Sequence, residues 1–304
     1  MERIAVGFDG SPDADAALAW AMTEERLGDA ALTAVLAWTR DECPPVVRDL
    51  AGPDASPEAI DAAARTVLEQ AVARHPDANH QAHVTPRPVE KDPADALEAI
   101  MPHVDLIVLG RHGSPRRRHA FSGSVTADCL HHATVPVVVV SAGQPRTDDH
   151  RPIVVGVDGS PTSLDALRWG AAAARRRSAP LVALRAWMPV MATYSGFYAP
   201  YYADGDIGTG EKIARELLDD AVERALPGNK PGTGPLDLEC RVVEGRATAS
   251  LLAESANAQL IVVGSRGLGG FGRLLLGSTA HQCVQHSQCP VVVMRDHSGP
   301  GSTR

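Results

Sequence analysis

The chain lacks the sequence features of a membrane or secreted protein. It has no run of about 18 apolar residues, the length that would indicate a membrane-spanning helix. Its five cysteines are odd in number and include no C-x-x-C pair, which argues against a disulfide framework and against a zinc site. The N-terminus reads as a strand followed by an acidic residue rather than as a signal peptide. We therefore expect a cytoplasmic protein whose thiols are reduced and mostly buried.

An excess of positive charge is also missing. The 304 residues include 29 Lys and Arg against 37 Asp and Glu, which gives a net charge of −8. Because binding to nucleic acid phosphates depends on a surplus of basic residues, we do not expect a nucleic-acid partner.

Several catalytic motifs are absent as well. No glycine-rich loop ends in the lysine of a P-loop, and neither the G-x-S-x-G nucleophile motif nor the zinc motif H-E-x-x-H occurs. The sequence therefore assigns no catalytic residue and no metal ligand.

The chain contains one glycine-rich motif that occurs twice. In the first half, nine residues separate Gly110-Arg-His-Gly113 from Gly123-Ser124. In the second half, nine residues separate Gly264-Ser-Arg-Gly267 from Gly277-Ser278. Both copies follow an apolar run typical of a buried strand, and both precede a helical stretch.

A second motif repeats upstream of the first. Asp9-Gly10-Ser11 returns as Asp158-Gly159-Ser160, 149 positions later, and the four tryptophans keep the same offset. The repeat indicates two homologous domains of ordinary size. We place the first domain at residues 1–143, a polar linker at 144–151, the second domain at 152–296 and a disordered tail at 297–304.

Each half alternates strands with helices. The predicted strands of the first half are Arg3–Phe8, Ala31–Trp38, His80–Pro86, Leu106–Leu109 and Val137–Ser141. Those of the second half are Ile153–Val157, Leu181–Trp187, Leu236–Val243, Leu260–Val263 and Val291–Met294. This alternation predicts an α/β fold with a doubly wound, five-stranded parallel sheet in each half. In such sheets, ligands bind at the carboxyl ends of the strands, where the strand order reverses.

The doubled glycine motif is typical of a phosphate cradle. Glycine lets the backbone approach an anion without a Cβ in the way, and the N–H groups of a helix N-terminus add partial positive charge. Simpler interpretations stay open. The aspartates could bond only the backbone of their own turns, Ser124 and Ser278 could be helix N-caps, and the glycines could serve turns alone.

Together, the Asp-Gly-Ser after strand one and the doubled glycine motif after strand four resemble the universal stress protein family, in the tandem form found in actinobacteria. The resemblance covers both halves almost end to end. It implies adenine nucleotide α-hydrolase-like sheets with strand order 3-2-1-4-5. It also implies ATP binding, because both halves keep the glycine motif that distinguishes the ATP-binding members.

The resemblance further implies which residues bind. The Asp9-Gly10-Ser11 and Asp158-Gly159-Ser160 turns would meet the adenosine, and Ala37 and Ala186 on strand two would line the adenine slot. The remaining residues would surround the ribose and phosphates: Gly110, His112, Gly113, Gly123, Ser124 and Val125 in the first half, and Gly264, Arg266, Gly267, Gly277, Ser278 and Thr279 in the second.

The two copies differ around the motif. The first carries Arg116–Arg118 between its glycines, a segment that would reach the outer phosphates or form a solvated basic loop. Its turn after strand three, Glu90-Lys-Asp-Pro93, lacks the glycine of Glu244-Gly-Arg-Ala247, so we expect the second site to be the better formed.

The second half also has an insertion, residues 188–210, that holds every tyrosine of the chain. It would cover the nucleotide, its own domain's core or another chain.

The leading hypothesis is an ATP-binding stress-response regulator that acts through nucleotide-dependent conformation or partner binding, with Mg²⁺ held through the phosphates. A slow ATPase and an interaction module that keeps the motif only structurally are the alternatives. Because single-domain members of the family form dimers, the resemblance also implies that the two halves pair through their fifth strands and that whole chains form a homodimer.

Overall fold

In a computed structural model, the chain divides into two compact units, Met1–Asp148 and Asp149–Asp296. The structure describes residues 2–28, 30–75, 83–113, 125–144, 150–189, 207–232, 235–268 and 276–295. The predicted linker falls largely outside these ranges, and the predicted tail lies entirely outside them, so both stay predictions. Each unit contains one parallel sheet with helices between its strands.

The first unit follows the predicted alternation of strands and helices. Its elements are β1 Glu2–Gly7, α1 Pro12–Leu27, β2 Ala30–Trp38, α2 Pro45–Ala51, α3 Pro57–Ala73, β3 Val84–Glu90, α4 Pro93–Ile100, a 3-10 turn Met101–His103, β4 Leu106–Gly110, α5 Val125–His132 and β5 Val137–Val140.

The strands of the first unit lie in the order β3-β2-β1-β4-β5 and all neighbouring pairs are parallel. Gly7 at the end of β1 is the register partner of Val35 on β2. On the other side of β1, Val6 pairs with Val108 on β4. The strand order 3-2-1-4-5 is therefore confirmed, and the reversal of order falls between β1 and β4.

The second unit repeats this arrangement. Its elements are β6 Ile153–Gly156, α6 Pro161–Arg177, β7 Leu181–Trp187, α7 Ile207–Ala225, β8 Leu238–Glu244, α8 Ala247–Glu254, β9 Leu260–Gly264, α9 Ser278–His286 and β10 Val291–Met294. Its strands lie in the order β8-β7-β6-β9-β10, all parallel, which is again 3-2-1-4-5 within the unit.

The Ser-Pro pair explains where the first helix of each unit begins. The side chain of Ser11 accepts a hydrogen bond from the Ala14 N–H, and that of Ser160 accepts one from the Ser163 N–H. A proline follows each serine, at a position where its missing N–H costs nothing and its fixed φ suits a helix. The chain therefore turns sharply from the first strand into a helix, which leaves the Asp-Gly-Ser turn at the carboxyl end of the sheet.

Two elements differ from the prediction. The third strand was expected at His80–Pro86, of which residues 80–82 lie outside the described ranges, but lies at Val84–Glu90, where β2 is its one partner among the described strands. An edge strand tolerates Pro86 and Pro88 because one side of it needs no ladder hydrogen bonds. The short helix α2 was not predicted. It has no side-chain cap and only seven residues, so its sequence signal is weak.

The thiols are mostly buried, as the sequence predicts. Cys129, Cys283 and Cys289 are buried, whereas Cys43 and Cys240 are only partly buried. Burial raises the pKa of Cys289 to about 11 and that of Cys240 to about 11, so both thiols stay protonated at neutral pH. Within the part of the chain that the structure describes, no helix is both long and apolar enough to cross a membrane.

Candidate functional site

The candidate site in each unit forms where the first and fourth strands end side by side. In the first unit, β1 leads into the Asp9-Gly10-Ser11 turn and the neighbouring β4 leads into Gly110. In the second unit, β6 leads into the Asp158-Gly159-Ser160 turn and β9 leads into Gly264. The structure thus brings the two sequence motifs together, at the place where the order of strands reverses.

In the first unit, the aspartate shapes its own turn. The Ser11 N–H donates to Asp9 Oδ1 at 3.0 Å, and Gly10 between them has φ +78°, a value that favours glycine. A bond to the backbone of the turn was the simpler interpretation of Asp9, and this bond is present. The glycine loop also reaches the same carboxylate, because a Cβ on Gly113 would lie 3.0 Å from Asp9 Oδ2.

The glycine loop of the first unit is fastened to helix α1 through Asp13. Asp13 Oδ2 accepts from the backbone N–H of His112 at 2.9 Å and lies 3.0 Å from the His112 ring Nδ1. Its other oxygen accepts from the Ala142 N–H at 2.8 Å. Gly110 packs directly on this helix, since a Cβ there would lie 2.7 Å from the Asp13 carbonyl carbon. His112 is therefore positioned by Asp13, while its side chain stays largely exposed.

In the second unit, Asp158 joins the turn to the glycine loop by direct hydrogen bonds. Asp158 Oδ1 accepts from the Ser160 N–H at 2.9 Å and from the Ser160 hydroxyl at 2.6 Å. Asp158 Oδ2 accepts from the Leu268 N–H at 2.9 Å. Between these loops, a Cβ on Gly267 would lie only 2.5 Å from Asp158 Oδ2. Only glycine leaves this contact undisturbed.

These contacts keep Asp158 charged. Burial alone would raise the pKa of Asp158, but hydrogen bonds from the Ser160 side chain and backbone, from Leu268 and from Ser163 outweigh it. The pKa of Asp158 consequently lies below the ordinary value of an aspartate. At neutral pH, a carboxylate therefore holds the two loops of the second unit together.

Thr162 occupies the place in the second unit that Asp13 occupies in the first. Its hydroxyl donates to the Arg266 carbonyl at 2.8 Å and would lie 2.6 Å from a Cβ on Gly264. Sequence reasoning did not single out Asp13 or Thr162. Their signal was available, because both stand two residues after the Ser of the repeated Asp-Gly-Ser turn.

The second half of the motif is described only in the second unit. Gly277 is the N-cap of α9, and its N–H donates to the Ser265 carbonyl at 2.7 Å, which ties it to the first glycines. Ser278 is the first helical residue and is exposed, so the interpretation of Ser278 as a plain N-cap is wrong. Thr279 Oγ1 accepts from the Thr248 hydroxyl at 3.3 Å. The matching Gly123 and Ser124 lie outside the described residues, and Val125 begins α5.

The two strand-two alanines lie near these turns. Ala37 is buried on β2 two residues after Val35, the register partner of Gly7. Ala186 is partly buried on β7 two residues after Leu184, the partner of Gly156. Their contact with an adenine ring stays a prediction.

The fold and the site define a class of protein that has two tandem, doubly wound α/β units, each with an Asp-Gly-Ser turn packed against a glycine loop. A family model described as the universal stress protein family matches residues 1–141 and 150–295, one match for each unit. The chain belongs to the universal stress protein family, as a tandem member.

Individual relatives agree with this assignment. The chain is 33% identical to a universal stress protein of Mycolicibacterium smegmatis over 96% of both chains. It is 31% identical to universal stress protein Rv1996 of Mycobacterium tuberculosis, over 98% of this chain and 96% of the relative. Both relatives come from actinobacteria, the group that the sequence resemblance indicated.

Solved structures show the same fold at lower identity. A universal stress protein from Archaeoglobus fulgidus matches with a TM-score of 0.62 at 17% identity, over 96% of this chain and 98% of that one. A structure from Pseudomonas aeruginosa matches with a TM-score of 0.64 at 16% identity, over 98% of this chain and 94% of that one.

Proposed function

We propose that this chain binds two adenine nucleotides, one at each Asp-Gly-Ser turn, and acts as an ATP-binding stress-response regulator. The observation that carries the proposal is the packing of the glycine loop against the aspartate in both units. Gly113 lies against Asp9 and Gly267 lies against Asp158, with no space for a side chain in the second unit. Glycines that serve turns alone need not converge on a carboxylate from another strand.

The described residues fit a nucleotide in chemical terms. Glycine backbone and the N-terminus of α9 provide N–H groups and partial positive charge for phosphate, and the exposed hydroxyl of Ser278 lies at the same helix end. Among the described residues, no group of three or more His, Cys, Asp or Glu side chains is arranged to hold a metal ion. Mg²⁺ would therefore enter with the nucleotide, coordinated mainly by phosphate oxygens.

Replacing Gly267 and Gly277 by alanine is expected to remove the second site. A methyl group on residue 267 would push the Asp158 carboxylate away from the Leu268 N–H, and one on residue 277 would lie 3.2 Å from the Ser265 carbonyl oxygen. Calorimetric titration with Mg-ATP should then count about one nucleotide fewer per chain. Unchanged stoichiometry in a folded double variant would refute the second site.

The first unit supplies the matched variant. Gly113→Ala would place its methyl group 3.0 Å from Asp9 Oδ2, a milder contact than the 2.5 Å at Gly267. It should weaken only the first site, and it should weaken that site less. If the two sites are independent, the triple variant should still bind one nucleotide, at the first site and with the reduced affinity of Gly113→Ala.

We also propose that whole chains form a homodimer, as the resemblance to single-domain relatives implies. Sedimentation equilibrium at micromolar concentration should give twice the 32.0 kDa chain mass. A chain that stays monomeric over the full concentration range, with and without Mg-ATP, would contradict this proposal and leave nucleotide binding untouched.

A further inference from the structure

Arg185 lies at the carboxyl end of β7, beside the aspartate turn of the second unit. Leu184 is the register partner of Gly156, and the Val157 N–H donates to the Leu184 carbonyl at 2.8 Å. The side chain of Arg185 extends toward the turn itself, since its Nη1 lies 3.9 Å from the position of a Cβ on Gly159. A guanidinium group therefore borders the candidate site, although it belongs to neither sequence motif.

One nitrogen of this guanidinium is a buried hydrogen-bond donor without an acceptor in the described part of the chain. Nη1 of Arg185 is buried, yet it has no hydrogen-bond partner among the residues that the structure describes. A buried N–H group without an acceptor costs free energy, and the cost is larger when the group is charged. The Asp158 carboxylate of the same turn is not its acceptor, and accepts from Ser160 and from Leu268 instead.

The first unit has an apolar residue at the position that corresponds to Arg185. The residue 149 positions before Arg185 is Leu36, which is fully buried. The space over Gly10 is filled by the Val46 side chain of α2, whose Cγ2 would lie 2.8 Å from a Cβ on that glycine. The matching turns thus have an apolar neighbour in one unit and a cation in the other. A general demand of the fold does not explain an arginine that the homologous unit replaces with leucine.

We propose that Arg185 binds the phosphate group nearest the adenosine in the second site and makes the two sites chemically unequal. This inference rests on the proposed nucleotide function and adds a recognition residue to it. A guanidinium presents several N–H donors in a fixed plane, and an anionic phosphate oxygen is the acceptor that compensates it best after desolvation. The glycine loop beside the same turn offers N–H groups suited to the same anion.

The consequence is selectivity between the sites. The second site should discriminate strongly between a nucleotide and the corresponding nucleoside, because the uncharged nucleoside leaves Nη1 without its acceptor. In the first unit, the apolar contact of Val46 with the turn carries no such penalty. A chain with one charge-selective site and one less selective site would fill its sites at different concentrations of AMP or ATP.

The test compares Arg185→Leu, which copies the residue of the first unit, with Arg224→Leu as the matched control. Arg224 is an exposed arginine of α7, and the ion pair it makes among the described residues is an i,i+4 contact with Asp220. Each full-length protein is titrated with Mg-ATP, AMP and adenosine by calorimetry, and its thermal unfolding is followed without ligand. We expect Arg185→Leu to weaken ATP and AMP at one of the two sites by about 10- to 100-fold, the effect of losing a charge-assisted hydrogen bond. Adenosine binding should be unchanged.

The unfolding experiment separates a ligand role from a structural one. If the role of Arg185 is to bind a ligand, replacing it with leucine should leave the thermal unfolding midpoint of the ligand-free protein equal or higher, because a buried donor without an acceptor is removed. A structural arginine would instead lower that midpoint. A lower midpoint, an equal loss of adenosine affinity, or unchanged ATP affinity would each overturn the proposal.

The wild-type titration distinguishes this inference from the proposed function. If the wild-type chain binds two nucleotides and Arg185→Leu does the same with unchanged affinities, only the role of Arg185 is wrong. If the wild-type chain binds no nucleotide, the proposed function fails, and the assignment of Arg185 fails with it.

Discussion

Replacing Asp158 with alanine is expected to abolish nucleotide binding at the second site while the unit stays folded. The carboxylate accepts hydrogen bonds from the Ser160 N–H, the Ser160 hydroxyl and the Leu268 N–H. Through these bonds the Asp158 side chain links its own turn to the glycine loop. Without it, the loop loses the anchor beside Gly267. Bonds to a charged group contribute about 1.5–3 kcal/mol each, so losing one of them should weaken binding by at least about 10-fold and losing all three by well over about 100-fold.

The fold should survive because the core of the unit does not depend on this carboxylate. The Ser160 side chain still caps α6 by accepting from the Ser163 N–H at 3.3 Å, and β6 and β9 still pair along Ile153–Val155. Circular dichroism and thermal unfolding check this point. Calorimetry with Mg-ATP should count one site fewer, and a folded Asp158→Ala chain that binds two nucleotides with wild-type affinity would contradict the assignment.

Two controls make the result specific. Asp9→Ala, the same change in the first unit, should remove the other site. Asp158→Asn keeps the size of the side chain, but only one of its two polar atoms can accept, so it loses either the bonds from Ser160 or the bond from Leu268. It should therefore weaken binding as well, which separates the hydrogen bonds from the space that the side chain fills.

Acidity gives a second measurement of the same contact. The pKa of Asp158 is lower in the folded chain than that of an unfolded aspartate, which is about 3.9. The stability that Asp158 contributes is therefore fully present above about pH 4 and is lost as the pH falls through the lower folded value. The hydrogen bonds that join the Asp158 turn to the glycine loop should be unchanged from neutral pH down to about pH 4 and should weaken below it. In Asp158→Asn this acid-dependent contribution should be absent.

The sequence predicted the fold well because its strongest signals are local. Buried valine and leucine runs and Ser-Pro helix starts act within a few residues, and the repeat shows the same local signals twice. The strand order follows from the family resemblance. β3 was misplaced by four residues because it is an edge strand, where Pro86 and Pro88 are permitted and the alternation is weak. Helix α2 was missed because its stability comes from packing against α3 rather than from a cap.

The site was predictable only as far as its motifs extend. The meeting of Asp158 with Gly267 could be expected, since both follow adjacent parallel strands. Arg185 and Asp13 could not, because each belongs to a regular element whose pattern explains its position without any ligand. Comparing the two repeats position by position would have exposed them: at the offset of 149 residues, Leu36 corresponds to Arg185 and Asp13 corresponds to Thr162, whereas most other residues agree in character.

ATP hydrolysis is expected to be slow or absent, several orders of magnitude below the turnover of about 10 per second typical of enzymes. Fast phosphoryl transfer needs a positioned nucleophile together with strong charge stabilisation. The described parts of the two sites offer glycine backbone, hydroxyls and an aspartate already occupied by hydrogen bonds. These groups bind a nucleotide but supply no evident base for a water molecule.

The best test of this prediction is a variant of His112, which among the described residues of the first site has an arrangement that resembles catalytic machinery. Its Nδ1 lies 3.0 Å from Asp13 Oδ2, an arrangement that in an enzyme would orient a general base. The second unit has Arg266 at the matching position, so a mechanism common to both sites cannot use it. We expect His112→Ala to leave any residual phosphate release unchanged in a single-turnover assay of a contaminant-checked sample. Release at about one per second that falls in His112→Ala and in Asp9→Ala, but not in Asp158→Ala, would contradict the prediction and make the first unit an ATPase beside a binding-only second unit.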